Sequence, residues 1–226
     1  MDVSHDRWRD ELHQAGNDTG RLVAVLRRGV PADGLQLAGA AILAAQPTAD
    51  LNDVIADLAS SLRGRGWLGD VELATALTDR TAGRPNTLTA LAVDLDDLAD
   101  LLDAPTSSES YIDLSSGAVW PGEVIDLGQE PDDLDPADAN RWLSVPGEGS
   151  HLAYVDMECF IATVEPDALR AKLPEAISGK QPFKTFLTVL QRDDEQFTSW
   201  HRHRDDARAG RARHWLAAHG FESTHT

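Results

Sequence analysis

The sequence predicts an α+β protein, in which an N-terminal helical region is followed by a small antiparallel sheet covered by C-terminal helices. Three patterns lead to this prediction. Apolar residues recur at helical spacing through residues 1–82. Residues 111–120 have the pattern of a β-hairpin, with Ser116-Gly117 at the turn. Helical spacing returns at residue 152 and continues into a long final helix over about residues 193–219.

The N-terminal region, residues 1–82, is predicted to contain five short amphipathic helices with brief connections, a pattern typical of a helical bundle. Asn17 or Asp18 can cap the second of these helices. A linker is predicted at residues 83–92, because glycine, proline and small polar residues are concentrated at its start. Residues 93–226 then form the α+β domain.

The α+β domain is predicted to begin with an acidic helix at residues 94–103 and to continue with the hairpin at 111–120. Residues 124–127 either extend the second strand or form a strand of their own, and residues 141–145 form a third strand that Pro146 ends. A sheet this small needs a helical layer over one face. Four C-terminal helices are predicted to supply it, at residues 152–164, 166–177, 181–191 and about 193–219.

Several motifs of this second part resemble a known family. They are the run Tyr154-Val155-Asp156-Met157-Glu158-Cys159-Phe160-Ile161, the pattern Gly179-Lys180-x-Pro182-Phe183-x-x-Phe186, Trp200, Trp215-Leu216 and the hairpin at 111–120. Together they resemble the bacterial uncharacterised protein family numbered 0158 in the UPF series, over roughly residues 91–221. The resemblance implies that residues 1–90 are the extra helical region of longer members. The family has no established activity, so the resemblance implies no catalytic residues.

Charge is distributed unevenly along the chain, whose formal net charge is −18. Residues 91–166 carry 18 acidic residues and one base, Arg141, whereas residues 167–226 carry 8 acidic residues and 10 bases. We interpret this as an acidic middle that folds against a mildly basic end; the alternative is that acidic surface only keeps the protein soluble. The overall charge argues against general binding to nucleic acid or to anionic lipid.

The long final helix carries the candidate site. A stripe of aromatic residues and arginines occupies an arc of roughly 80° around this helix. It consists of Phe197, Trp200, Arg204, Arg208, Arg211 and Trp215. Arginine is rarely buried without an acidic partner. The predicted partner is Glu158, which shares a face of helix 152–164 with apolar residues. The alternatives are a phosphate or carboxylate site made from spare arginines, or a stripe that faces solvent.

Motifs for catalysis, metal binding or cofactor binding are missing from the sequence, so we expect no cofactor and no metal, and an enzyme is the less favoured class. Cys159 is the one cysteine, and the neighbouring Glu158 should raise the pKa of its thiol and reduce its reactivity. His201 and His203 are two residues apart, so on a helix they point in different directions. Residues 130–138 are acidic but lack the EF-hand pattern, which predicts a solvated loop.

The leading functional hypothesis is a non-enzymatic binding or regulatory protein that contacts a partner protein with a basic surface through its own acidic surface. The alternative is an anion- or nucleic-acid-associated factor that uses Arg204, Arg208 and Arg211, and the third is a hydrolase whose residues come from distant positions. No apolar run approaches the roughly 18 residues of a membrane span, and the first residues lack a signal-peptide pattern. We therefore expect a cytoplasmic location. The oligomeric state is left open.

Overall fold

Among its described residues, the N-terminal region contains five α-helices and a short 3-10 helix at Ala32–Gly34. The layout of helices first and sheet second confirms the predicted α+β class. The computed structural model describes residues 3–165 and 167–224. The five helices are α1 (Val3–Ala15), α2 (Thr19–Leu26), α3 (Leu35–Ala44), α4 (Ala49–Arg65) and α5 (Asp70–Thr81). Asp18 caps α2 by accepting a hydrogen bond from the amide of Arg21. All five helices contribute to one apolar core, which includes Trp8, Leu22 and Leu77.

The antiparallel sheet has three short strands in the order β3-β2-β4. They are β2 (Glu109–Asp113), β3 (Val119–Trp120) and β4 (Trp142–Pro146), and the acidic helix α6 (Leu95–Asp103) precedes them. Ile112 is the central buried residue of the sheet, because it pairs with Val119 on one side and Leu143 on the other.

The prediction of a strand at residues 124–127 is wrong, because a short helix, α7 (Gly122–Asp126), occupies this position. Pro121 ends β3, since it has no amide hydrogen to continue the ladder. The carbonyl of Pro121 then accepts hydrogen bonds from the amides of Val124 and Ile125, which starts the helical turn.

A second, parallel strand pair lies where the linker was predicted. Strand β1 (Thr89–Leu91) pairs with β5 (Phe221–Ser223), so a segment close to the C-terminus hydrogen-bonds with the segment that follows the N-terminal helices. Three-residue strands carry too little alternation to be recognised in sequence. Residues 83–92 therefore contain a structured element as well as a connection.

The C-terminal helices are α8 (His151–Thr163), α9 (Asp167–Arg170), α10 (Leu173–Ile177), α11 (Pro182–Leu190) and α12 (Asp194–Ala218). The helix predicted over 166–177 is split in two, and residue 166 lies outside the described residues. Pro174 stands at the start of α10, where a missing amide hydrogen is tolerated. The break between α9 and α10 therefore lies just before this proline, because proline is favoured in the first turn of a helix.

The prediction was that all four C-terminal helices cover the sheet. Of these helices, α12 is the one that shares the apolar core of the sheet. The sheet packs on α6 and on the second half of α12, through Ala212, Trp215 and Leu216. Helices α8, α10 and α11 instead form their own apolar core with Trp200, which belongs to the first half of α12. Two cores therefore share one long helix, and α12 is the element that joins them.

Helix α12 also packs on the N-terminal region, where it contacts α3 and α5. One close backbone contact is between Gly69, which precedes α5, and Gly210 in the middle of α12. A Cβ atom on Gly69 would lie 2.0 Å from the carbonyl oxygen of Gly210, and a Cβ atom on Gly210 would lie 2.3 Å from that of Leu68. Only glycine fits this contact, because the two backbones touch.

Candidate functional site

Arg208 and Arg211 of the predicted stripe lie against carboxylates from two other helices. Arg208 donates from Nε to Asp103 at 2.8 Å and from Nη2 to Asp100 at 2.5 Å, both on α6. Arg211 donates from Nη1 to the two carboxylate oxygens of Asp156 on α8, at 2.9 and 2.7 Å, and its Nη2 lies 3.5 Å from Asp103. We call these five residues the Arg211 cluster. It ties α12 to α6 and α8.

The acidic partner from α8 is Asp156, so the prediction of Glu158 as this partner is wrong. Glu158 is exposed, whereas Asp156, Met157 and Phe160 form the buried stripe of α8. Tyr154 and Ile161 are only partly buried, so they did not mark the inward face. A polar residue among buried neighbours, here Asp156, was the true signal of an internal ion pair.

Burial dominates the electrostatics of the Arg211 cluster. The side chain of Arg211 is 7% exposed and that of Asp156 is 10% exposed. Burial raises the pKa of Asp156, although the charge and hydrogen bond of Arg211 act in the opposite direction. The ion pair therefore offsets only part of the cost of removing this carboxylate from water.

Arg204 stands apart from the other two arginines of the stripe. Its side chain is 40% exposed, and its nearest carboxylate is that of the adjacent Asp205, at 3.7 Å. Trp200 and Trp215 are both buried, but in different cores. Trp200 packs on Phe160 and Phe186 with ring centroids 5.4 and 4.8 Å away. The two tryptophans of the stripe are thus enclosed within separate apolar cores.

A second ionic cluster, missed in the sequence, lies between α12 and the N-terminal helices. Arg65 at the end of α4 donates to Asp70 from Nε at 2.9 Å and from Nη2 at 2.6 Å, and to Asp206 of α12 from Nη1 at 2.5 Å. Gln36 of α3 donates from its backbone N–H to Asp206 and from its side-chain Nε2 to Asp70, each at 2.9 Å. We call these four residues the Arg65 cluster. Burial raises the pKa of Asp206, while Arg65 and the backbone N–H of Gln36 oppose this shift.

The sequence did contain a signal for the Arg65 cluster. Gly210 stands in the middle of a long helix, where glycine costs about 1 kcal/mol relative to alanine, so its presence indicates a close backbone approach. Arg202, Asp206 and Gly210 follow each other at intervals of four and lie on one face of α12. Arg202 donates to Asp33 at 2.9 Å, which extends this polar contact with the N-terminal region.

A cleft of about 430 Å³ lies beside the Arg202–Asp33 pair. Its wall includes Trp67, Phe160 and His203. Burial lowers the pKa of His203 to about 4; Arg65 and Arg211 act in the same direction, and Asp33 opposes them. His203 is therefore neutral at physiological pH.

Residues 3–165 and 167–224 were compared with the requirements of a metal site and of a membrane-spanning helix. In these ranges no three histidine, cysteine, aspartate or glutamate side chains are grouped so that they could hold a metal ion. No described helix combines the length and the apolar composition that a bilayer crossing requires.

The segment between β3 and β4, residues 121–140, is strongly acidic, and we call it the acidic segment. It contains seven acidic residues and no lysine or arginine. All seven are exposed, and they are Glu123, Asp126, Glu130, Asp132, Asp133, Asp135 and Asp138. Asp133 pairs with Arg141 at 2.7 Å, and the other six have no ion pair among the described residues. Leu127, at 73% exposure, lies within the same surface.

Comparison with known proteins places the α+β domain in a family. The model of the uncharacterised protein family UPF0158 matches residues 84–225, which is more than half of the chain. The chain belongs to the UPF0158 family. It is also similar to UPF0158 protein PA5073 of Pseudomonas aeruginosa, with 29% identity over 126 residues that cover 56% of this chain and 82% of the relative. No solved structure matches the chain. The family resemblance noted in the sequence is confirmed.

Proposed function

We propose that this UPF0158 protein is a non-enzymatic binding module whose acidic segment docks a basic stretch of a partner protein. The observation that carries the proposal is the set of six exposed carboxylates in residues 121–140 that have no ion pair among the described residues. Such a surface attracts cationic groups and raises the rate at which a basic partner is encountered.

The arrangement of the arginines supports the same proposal. Arg202, Arg208 and Arg211 each bind a carboxylate of another element, so their charge is used inside the fold. The acidic segment is the opposite case, because its charge is left facing solvent. A partner with a basic surface is therefore a better match for this protein than nucleic acid, whose phosphates would need free arginines or lysines.

Leu127 gives the proposed interface an apolar contact in the middle of its acidic surface. An interface needs buried apolar area as well as charge, because exposed ion pairs contribute only about 0–1 kcal/mol each. We also place this binding in the cytoplasm. The single cysteine, Cys159, is exposed and unpaired, which suits a reducing compartment.

The proposal is tested with a lysine-rich peptide as the probe and with two matched variants. One variant replaces Glu130, Asp132, Asp135 and Asp138 by their amides. The control makes the same change in charge in the N-terminal region, at the exposed residues Asp10, Asp50, Asp53 and Asp57. Binding should weaken with added salt, and it should be lost in the first variant and retained in the second. Equal weakening in both variants would show that net charge alone attracts the peptide, and the proposal would fail.

A photo-crosslinking side chain identifies the partner itself. Placed at Leu127, it should capture a protein with a basic segment at low salt and lose it at high salt. Val71, which is 59% exposed in the N-terminal region, is the matched position for the control. Capture of the same protein from both positions would contradict docking at the acidic segment.

A further inference from the structure

A cleft of about 420 Å³ lies between α1, α3, the start of α6 and α12. This volume is within the range of small-molecule sites in proteins, about 300–1,000 Å³. Two of its lining residues are arginines with unused hydrogen-bonding capacity, Arg213 of α12 and Arg9 of α1. Its lining also includes the apolar residues Leu37, Ala40 and Ala209.

Arg213 differs from the other inward-facing arginines of α12, because it has no carboxylate partner. Its Nε donates to the side-chain oxygen of Gln36 at 3.1 Å. Among the described residues no carboxylate oxygen lies within 4.0 Å of its guanidinium, although Glu222, Asp206 and Glu72 are the acidic residues nearby. Burial lowers the pKa of Arg213 to about 10. A partly buried guanidinium bound only to an amide is costly, and an anion would offset that cost.

Arg9 is the second arginine of the same cleft whose hydrogen bonding is incomplete. Its Nε is buried and has no hydrogen-bond partner. Its one ion pair within the described part of the chain is with Asp205, at the long distance of 3.8 Å. Two arginines from different parts of the fold, Arg9 and Arg213, therefore line one cleft, and neither has a short ion pair among the described residues.

The carboxylates of the cleft restrict which anion it can take. Asp206 is occupied by Arg65 and Gln36, and Asp94 accepts from the amides at the start of α6. Asp96 has no ion pair among the described residues; burial together with Asp94 raises the pKa of its carboxyl, and the charge of Arg208 opposes this shift. These groups would repel a doubly charged phosphate more than a singly charged carboxylate, since repulsion grows with the charge of the ligand.

We propose that this cleft binds a small monocarboxylate, whose charged end is held by Arg213 and Arg9 and whose apolar end lies against Leu37, Ala40 and Ala209. The cleft shares no residue with the acidic segment. A test of this proposal is therefore independent of the proposed docking of a partner protein. A guanidinium suits a carboxylate because it offers two parallel donors.

The test uses sodium butyrate, with sodium phosphate and sodium chloride at matched ionic strength, against the full chain. Calorimetry should show saturable binding of butyrate, and butyrate should raise the midpoint of thermal unfolding because it binds only the folded state. Arg213→Gln should weaken binding about 10- to 100-fold, as expected for loss of a charged hydrogen-bonded contact. Arg21→Gln, at an exposed arginine of α2, should leave it unchanged.

Ala40→Leu is the second variant, and it fills the cleft without removing either arginine. It should fold as the parent does and lose butyrate binding. Binding equal to that of the parent in this variant would overturn the proposed position. Tighter binding of phosphate than of butyrate would overturn the monocarboxylate assignment, and the absence of saturable butyrate binding would overturn the site altogether.

Discussion

Asp206, in the middle of α12, binds Arg65 at the end of α4 across 141 positions of sequence. The side chain of Asp206 is 1% exposed and that of Arg65 is 10% exposed, so the pair is nearly withdrawn from water. The N-terminal helices have their own apolar core, which contains no residue of α12. The helix therefore meets this region chiefly through charges, hydrogen bonds and the contact between Gly69 and Gly210.

Replacing Arg65 by methionine should be strongly destabilising. The change leaves Asp70 and Asp206 buried without a counter-charge, and breaking a buried pair in this way costs about 3–5 kcal/mol. Arg63→Met is the matched control, since Arg63 is exposed and its hydrogen bonds to the carbonyl of Ala74 and the hydroxyl of Thr78 are long, at 3.4 Å. Unfolding by urea measures both variants. A similar small loss in both would mean that Arg65 is not holding the buried carboxylates.

Arg211→Ala and Arg204→Ala should differ in effect, although both residues belong to the same helix stripe. Loss of Arg211 strands Asp156 in a buried position, which should lower the free energy of unfolding by about 3–5 kcal/mol. Loss of Arg204 removes a half-exposed contact and should cost about 0–1 kcal/mol. Thermal and urea unfolding of the two variants decide the point. An unchanged melting temperature for Arg211→Ala would refute a structural role for the Arg211 cluster.

Gly210→Ala should destabilise the protein even though alanine is the better helix former. The added methyl group would clash with the carbonyl of Leu68, and overpacking of this kind costs about 1–3 kcal/mol. Gly64→Ala is a matched helical control, because nothing lies within 4 Å of a Cβ atom there. That variant should gain about 0.5–1 kcal/mol. Stabilisation by both substitutions would show that the backbone contact at Gly210 can relax.

Acid should destabilise the fold through His203. Because its folded pKa is about 4 and the usual value is 6.5, the unfolded chain binds the proton more tightly. The stability contribution is present above pH 6.5 and is lost as the pH falls toward 4, by about 2 kcal/mol between pH 7 and pH 5. His203→Gln should flatten the stability profile by this amount in urea titrations, whereas His151→Gln, at an exposed position, should not. Parallel profiles for the parent and His203→Gln would contradict the prediction.

The sequence predicted α4 well, because its apolar residues recur at helical spacing and are buried along one stripe. It also predicted the bounds of α12 to within a residue, although several buried residues of that helix are charged. It did not predict β1 or β5, since a three-residue strand is defined by its distant partner and not by its own composition. The same limit applies to the site. Helical spacing identified Arg208 and Arg211, but whether Asp156 or Glu158 faces them depends on how α8 is rotated, and that is set by packing against α10 and α11.

The place of α12 in the chain has a consequence for how the protein is made. A ribosome synthesises the N-terminal helices, the sheet and helices α6 to α11 before any part of α12 emerges. Until then Asp100, Asp103 and Asp156 have no arginine partners, and their mutual repulsion opposes early compaction of the acidic half. Assembly of the α+β domain is therefore expected after translation has passed α12, with the N-terminal helices free to form first around their own core.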